Sequence, residues 1–129
     1  MGAGDIRGMA GVLIWTERAR FDAMARFYRD QLGLTPRTSK ADFINFEWGR
    51  VRLSVSVHDR VVGTSKDPFR IMINLAVDDL RAAHARLTSA GVVCTRPPEA
   101  EEWGGQVASF LDPDGNLVQL LQLPPVPPR

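Results

Sequence analysis

The stretch FLDPDGNLVQL, residues 110–120, places the turn sequence Asp112-Pro113-Asp114-Gly115 between two apolar segments. Pro113 fixes its own φ at a value that suits the second position of a turn, and the Asp112 side chain can accept hydrogen bonds from backbone amides that follow it. Gly115 accepts a positive φ without steric cost. The stretch therefore predicts a tight hairpin that joins the last two strands.

The same order of elements occurs twice along the chain. The alternation of apolar residues at period two and at three- to four-residue steps predicts these segments in the first copy: strand 12–15, helix 21–32, strand 43–48 and strand 51–57. In the second copy the segments are strand 71–77, a helix that starts after Asp78 or Asp79, strand 105–111 and strand 117–123. Gly33 and Gly91 end the two helices.

This repetition predicts an organisation with two modules and a linker. The boundaries are an N-terminal extension 1–10, a first module 11–58, a linker 59–69, a second module 70–123 and a Pro-rich tail 124–129. Arg96-Pro97-Pro98-Glu99 is expected to interrupt the second module after its first new strand, because proline donates no hydrogen bond to a sheet.

Composition limits the classes of partner. The chain has 129 residues, of which 44% are hydrophobic and 24% charged, and a formal net charge of +1. These values are typical of one globular domain and argue against binding to nucleic acid or to a membrane surface. Cys94 is the single cysteine, and no secretory signal or membrane-spanning apolar run is visible, so we expect a cytoplasmic protein.

Four motifs resemble the vicinal oxygen chelate superfamily, which includes glyoxalase, bleomycin-resistance and extradiol dioxygenase proteins. They are FYRDQLGL at 27–34, VDDLRAA at 77–83, WGG at 103–105 and DPDGN at 112–116. The resemblance covers about residues 11–123. It implies an α+β fold in which two tandem βαβββ modules form curved sheets around a small-molecule cavity, and it implies a homodimer.

The resemblance also identifies the positions that bind a divalent metal ion in many family members. A glutamate commonly stands four residues after the turn glycine, where this chain has Gln119. The remaining positions fall on Gly11 or Leu13, on Met72, and on Ser54 or Ser56. One amide and one hydroxyl fall short of the three protein ligands that a catalytic metal site typically presents. We therefore expect no metal, no cofactor and no catalytic residue.

A pocket lined by the inward strand faces would instead bind an organic ligand. The predicted ligand-binding residues are Trp15, Trp48, Arg52, Ser54, Met72, Asn74, Trp103 and Gln119. Indole rings offer a large flat contact area, and the few polar groups can orient a ligand by hydrogen bonds. Arg52 suits an anionic or carbonyl-bearing ligand, although an arginine on a solvated sheet face and tryptophans packed in a core are also consistent with the pattern.

The sequence thus favours a binding protein over an enzyme. The predicted function is metal-independent binding and sequestration of an antibiotic or natural-product-like small molecule. Two alternatives stay open. The first is a lyase, isomerase or dioxygenase that uses a divalent ion through Gln119 and Ser54 or Ser56. The second is a non-catalytic interaction module with a vestigial pocket.

Overall fold

The computed structural model describes residues 4–125, so residues 1–3 of the predicted extension and 126–129 of the predicted tail lie outside the described residues. The chain divides into two compact units, Met1–Val62 and Gly63–Arg129. The elements of the first unit are β1 (Gly11–Thr16), α1 (Arg18–Arg26), β2 (Thr38–Lys40), β3 (Phe43–Trp48) and β4 (Val51–Val57). Those of the second are β5 (Met72–Ala76), α2 (Leu80–Ser89), β6 (Cys94–Ala100), β7 (Gln106–Leu111) and β8 (Leu117–Gln122). The prediction of an α+β fold with two tandem βαβββ modules is confirmed.

The first unit is built on a sheet with the strand order β1-β4-β3-β2. β1 runs parallel to β4, and the other neighbours are antiparallel. Helix α1 covers one face, on which Met24 and Tyr28 are fully buried and the Tyr28 ring centroid lies 6.5 Å from that of Phe46. Because side chains alternate along a strand, the residues between those that contact α1 point to the opposite face.

The helix of the first unit differs from its prediction at both ends. It begins at Arg18 rather than Phe21, and its α-helical part ends at Arg26, where a π-helical turn over Phe27–Gln31 follows. Leu32 N donates to Phe27 O at 2.8 Å, a five-residue step that widens the turn. The wider turn lets the consecutive rings of Phe27 and Tyr28 be buried together, with centroids 4.9 Å apart.

The second unit repeats the arrangement, with the strand order β5-β8-β7-β6 and β5 parallel to β8. Leu80 and Leu87 of α2 are fully buried, and His84 lies with its ring centroid 6.0 Å from that of Phe110. Asp79 caps this helix, because its Oδ1 accepts from Ala82 N at 3.1 Å. Within residues 4–125 neither helix is long and apolar enough to cross a membrane.

The expected interruption at Arg96-Pro97-Pro98-Glu99 is wrong. Strand β6 runs through both prolines, from Cys94 to Ala100, with shifts of register on either side of Arg96. β6 is the edge strand of its sheet and pairs with β7 alone. An edge strand tolerates proline because one of its sides has no ladder to complete, and bulges absorb the missing donors.

The turn at Asp112 adopts the predicted hairpin conformation. Gly115 N donates to Asp112 O at 2.9 Å, and Asp112 N donates to Asn116 O at 3.0 Å, while Gly115 has φ of 81°. The Asp112 carboxylate is buried and accepts from Asp114 N at 3.0 Å and from Asn116 N at 2.9 Å through Oδ1. The turn thereby fixes the register of β7 against β8, which pairs Ser109 with Gln119.

Candidate functional site

Each sheet has one face that packs on its own helix and one that points away from it. We call the latter the first and second distal faces. The first distal face carries, by the register of β1, β3 and β4, Gly11, Leu13, Trp15, Phe43, Asn45, Glu47, Arg52, Ser54 and Ser56. The second carries, by the register of β5, β7 and β8, Met72, Asn74, Ala76, Val107, Ser109, Leu111, Leu117, Gln119 and Leu121. The two faces belong to separate units and are described separately.

An exposed aromatic and aliphatic surface runs along β1 on the first distal face. Leu13 and Trp15 are each 44% exposed, a large fraction for apolar residues in the middle of a strand. The His58 ring meets the Trp15 indole edge-on, with centroids 4.9 Å apart and planes at 75°. His58 Nδ1 in turn accepts from Arg60 N at 3.0 Å, which fixes the imidazole. Trp15 is therefore supported on one side and accessible on another.

The polar residues of β4 differ in their availability. Ser56 Oγ donates to Asp42 O at 3.2 Å, and the buried Asn45 is engaged because its Oδ1 accepts from Thr38 N at 3.0 Å. Ser54 lies between Leu13 and Asn45 in register, and its hydroxyl has no hydrogen-bond partner among residues 4–125. Ser54 thus offers a hydroxyl on this face that is available to a ligand.

Arg52 belongs to a charged cluster at the end of the first distal face. Its Nε lies 2.8 Å from Glu47 Oε2, and the same oxygen lies 3.0 Å from Arg37 Nε. The side chains of both arginines are 49% exposed and that of Glu47 is 31% exposed. Sequence reasoning missed Arg37 and Glu47. The two-residue turn at Gly49-Arg50 contained the signal for Glu47, because such a turn sets residues 47 and 52 opposite each other.

The second distal face presents a pair of carboxamides. Gln119 Nε2 donates to Asn74 Oδ1 at 2.6 Å, across the parallel strands β5 and β8. This bond leaves Asn74 Nδ2 as a donor and Gln119 Oε1 as an acceptor. If the oxygen and nitrogen positions of both carboxamides were exchanged, Asn74 would donate to Gln119, and the pair would still have one donor and one acceptor left. Met72, Leu117 and Leu121 surround the pair with apolar surface.

The edge of the second sheet has the opposite charge balance from the Arg52 cluster. Arg96 on β6 pairs with Glu99 at 3.2 Å and with Glu101 at 3.0 Å. The hydrogen bond that Arg96 donates to Glu99, together with the nearby Glu101 carboxylate, holds the pKa of Arg96 above its ordinary value. One arginine between two carboxylates gives this edge a net negative charge, whereas the cluster at Arg52 is net positive.

The structure divides the eight predicted ligand-binding residues into three groups. Trp15, Arg52 and Ser54 share the first distal face, and Met72, Asn74 and Gln119 share the second. Trp48 lies on neither, because it follows Glu47 by one residue and so takes the helix-packed side with Phe46. Trp103 lies in the loop between β6 and β7, outside both sheets.

Trp103 has a defined position in that loop. A Cβ added at Gly105 would overlap the Cζ3 and Cη2 atoms of the Trp103 ring, and it would lie 2.8 Å from Gln122 O. The indole therefore packs directly on the backbone of Gly105, while the residue remains 50% exposed. Only glycine at position 105 permits this close approach.

The side chains at the family's metal-binding positions do not fit a catalytic divalent cation. Leu13 and Met72 offer no hard donor, and Gln119 offers a single neutral amide oxygen, since its nitrogen bonds Asn74. Ser54 supplies a single neutral hydroxyl. Across residues 4–125 no group of three or more histidine, cysteine, aspartate or glutamate side chains is arranged to hold a metal ion.

The chain is similar to known proteins over most of its length. It is 31% identical over 111 residues to the bleomycin resistance protein of Klebsiella pneumoniae, covering 79% of this chain and 83% of that protein. It is 25% identical over 115 residues to the uncharacterized protein YraH of Bacillus subtilis, covering 80% and 90%. The crystal structure of a glyoxalase-related enzyme from Fulvimarina pelagi matches with a TM-score of 0.72 and 19% identity, covering 91% and 88%.

The similarity to the solved structure shows the fold, and the match to a family model shows which family the chain belongs to. That model describes the Glyoxalase/Bleomycin resistance protein/Dioxygenase superfamily and matches residues 18–120, which extend from α1 into β8 and cover most of both modules. The chain therefore belongs to this superfamily.

Proposed function

We propose that this protein binds and sequesters planar, partly aromatic small molecules of the antibiotic or natural-product type, without a metal ion. The observation that carries the proposal is the accessible Trp15 indole on the first distal face, held edge-on by His58 and continued by Leu13. A rigid ring with this support binds another ring at little entropic cost. Binding requires no bond-making step.

Each distal face carries polar groups that would orient a ligand bound to that face. The Ser54 hydroxyl stands next to Leu13 in register and has no partner within the described part of the chain. On the second distal face, Asn74 and Gln119 offer one donor and one acceptor. A mostly apolar surface with a few fixed polar groups is the usual composition of a small-molecule site.

The comparisons support a ligand of this class in general terms. A relative that is 31% identical carries the name bleomycin resistance protein. The near-neutral charge of this chain, +1, offers little overall attraction to a basic drug such as bleomycin. The proposed site residues rest on the side chains that each distal face presents, and the proposed metal-independent mode of binding rests on the poor donor set described above.

Tryptophan fluorescence tests the proposal directly. The double variant Trp48→Phe, Trp103→Phe leaves Trp15 as the single tryptophan, so any change in emission reports on the first distal face. We expect saturable quenching or a spectral shift with at least one member of a panel that contains bleomycin, tetracycline, doxorubicin and N-phenyl-1-naphthylamine. If the emission of Trp15 responds to none of them, the proposal loses its main support.

We also propose, from family resemblance, that the protein is a cytoplasmic homodimer. Light scattering of the purified chain is expected to give twice the mass of 14.3 kDa. A mass of one chain at working concentration would contradict the dimer.

A further inference from the structure

We infer that the first distal face selects aromatic ligands that carry an oxyanion, with Arg52 and Arg37 as the receiving groups. This inference rests on the proposed function, since it names the chemical class of ligand that the same face binds. Arg37 and Glu47 were not predicted from the sequence, and nothing in the family resemblance points to them.

The cluster of Arg52, Arg37 and Glu47 has more positive than negative charge. Two guanidinium groups share the single oxygen Oε2 of Glu47, at 2.8 and 3.0 Å through their Nε atoms. One carboxylate balances only one of the two arginines, so the cluster keeps a net charge of +1. Both arginines make their shortest contact with Glu47 through Nε, and within residues 4–125 no hydrogen bond is donated by a terminal Nη atom of either arginine. Guanidinium groups bind oxyanions through pairs of parallel N–H donors, and these donors remain available.

The surface beside Arg52 is open to a ligand. The neighbour of Arg52 on β1 is Gly11, which has no side chain to cover the guanidinium. A Cβ at this position would overlap the carbonyl oxygen of Arg52, so the strand pairing itself excludes a larger residue. The edge of the first distal face beside Arg52 is therefore kept clear by a steric requirement of the backbone.

The distance between Arg52 and Trp15 suits a ligand that contacts both residues. Arg52 lies beside Gly11 and Ser56 lies beside Trp15, so Arg52 and Trp15 are separated by four residues along β4. At about 3.3 Å per residue this is roughly 13 Å, with Leu13 and Ser54 between them. A ligand of two or three rings with an acidic group at one end matches this order of cation, hydroxyl and aromatic surface.

A matched pair of fluorescent probes tests the inference. 8-Anilino-1-naphthalenesulfonate differs from N-phenyl-1-naphthylamine only by its sulfonate, and both report binding by their own emission. We expect the wild-type protein to bind the sulfonate roughly tenfold more tightly than the neutral probe at low ionic strength, and this preference to shrink in 0.5 M salt.

Substitutions in the cluster should move the preference in opposite directions. Arg52→Gln is expected to remove most of the roughly tenfold preference for the sulfonate, whereas Glu47→Gln, which frees both arginines, is expected to increase it a few-fold. Arg50→Gln makes the same charge change as Arg52→Gln, at an exposed position in the adjoining hairpin turn, and should change the preference by less than about twofold.

The outcomes separate the inference from the proposed function. If neither probe binds, the proposed function fails and the inference fails with it. If both probes bind with equal affinity, or if Arg52→Gln and Glu47→Gln leave their ratio unchanged, the face binds aromatic molecules but does not select oxyanions. A purely structural ion-pair cluster would give this last result, because its loss would affect both probes alike.

Discussion

Replacement of Asp112 by alanine is expected to lower the free energy of unfolding by about 3 kcal/mol. Asp112 is only 4% exposed, and its carboxylate accepts three hydrogen bonds, from Asp114 N, Asn116 N and Asn116 Nδ2, at 2.9 to 3.0 Å. Alanine would leave these donors without their acceptor in a buried turn, and a buried unpaired donor is costly. The variant would loosen the hairpin that sets Ser109 opposite Gln119.

Urea unfolding followed by circular dichroism measures this effect. Asp112→Asn keeps the Oδ1 acceptor for two backbone amides and should lose only about half as much stability. Asp78→Ala removes an exposed carboxylate with no hydrogen bond in the described part of the chain, and should change stability by less than about 0.5 kcal/mol. A midpoint for Asp112→Ala equal to that of Asp78→Ala would show that the turn does not depend on this carboxylate.

Replacement of Trp15 by alanine is expected to weaken the binding of N-phenyl-1-naphthylamine between roughly 10-fold and 60-fold. Trp15 is 44% exposed, which for a tryptophan corresponds to about 100 Å² of surface that a ligand can cover. At about 25 cal/mol per Å², complete coverage contributes up to about 2.5 kcal/mol. The exposed position also means that the substitution should leave the fold intact.

Trp48 provides the matched control for this experiment. It is 47% exposed, so Trp48→Ala removes a ring of similar accessibility, but this ring lies on the helix-packed side of the sheet. We expect the affinity for the probe to change by less than about twofold. Equal losses for the two variants would place the binding surface elsewhere than on the first distal face.

The sequence allowed the main elements of both modules to be predicted because their signals are local. The Asp112–Gly115 turn, the cap at Asp79 and the helix-ending glycines each act within a few residues, and the structure has all of them. The π-helical turn at Phe27–Gln31 could not be predicted, since an apolar stripe does not distinguish a four-residue from a five-residue step. Strand β6 was missed at Pro97 because its position at the edge of the sheet depends on distant residues.

The candidate site was likewise predictable where its residues follow a local pattern and not predictable where they depend on distant residues. The alternation of β4 predicted that Arg52 and Ser54 share a face, and the parallel pairing of β5 with β8 brought Asn74 beside Gln119. The hydrogen bond between these two amides depends on a register between strands 45 positions apart, which no local pattern encodes. Arg37 was overlooked because it precedes β2, a strand of only three residues with no recognisable periodicity.

The dependence of ligand binding on a metal ion tests the central proposal most directly. The panel compound that binds best would be titrated calorimetrically into protein treated with a chelator, and again after addition of Mn²⁺, Ni²⁺, Zn²⁺ or Fe²⁺. We predict the same dissociation constant in every case, because the side chains on the first distal face bind the ligand themselves. Binding that appears only after one of these ions is taken up stoichiometrically would contradict the account and would favour a metal-dependent lyase, isomerase or dioxygenase.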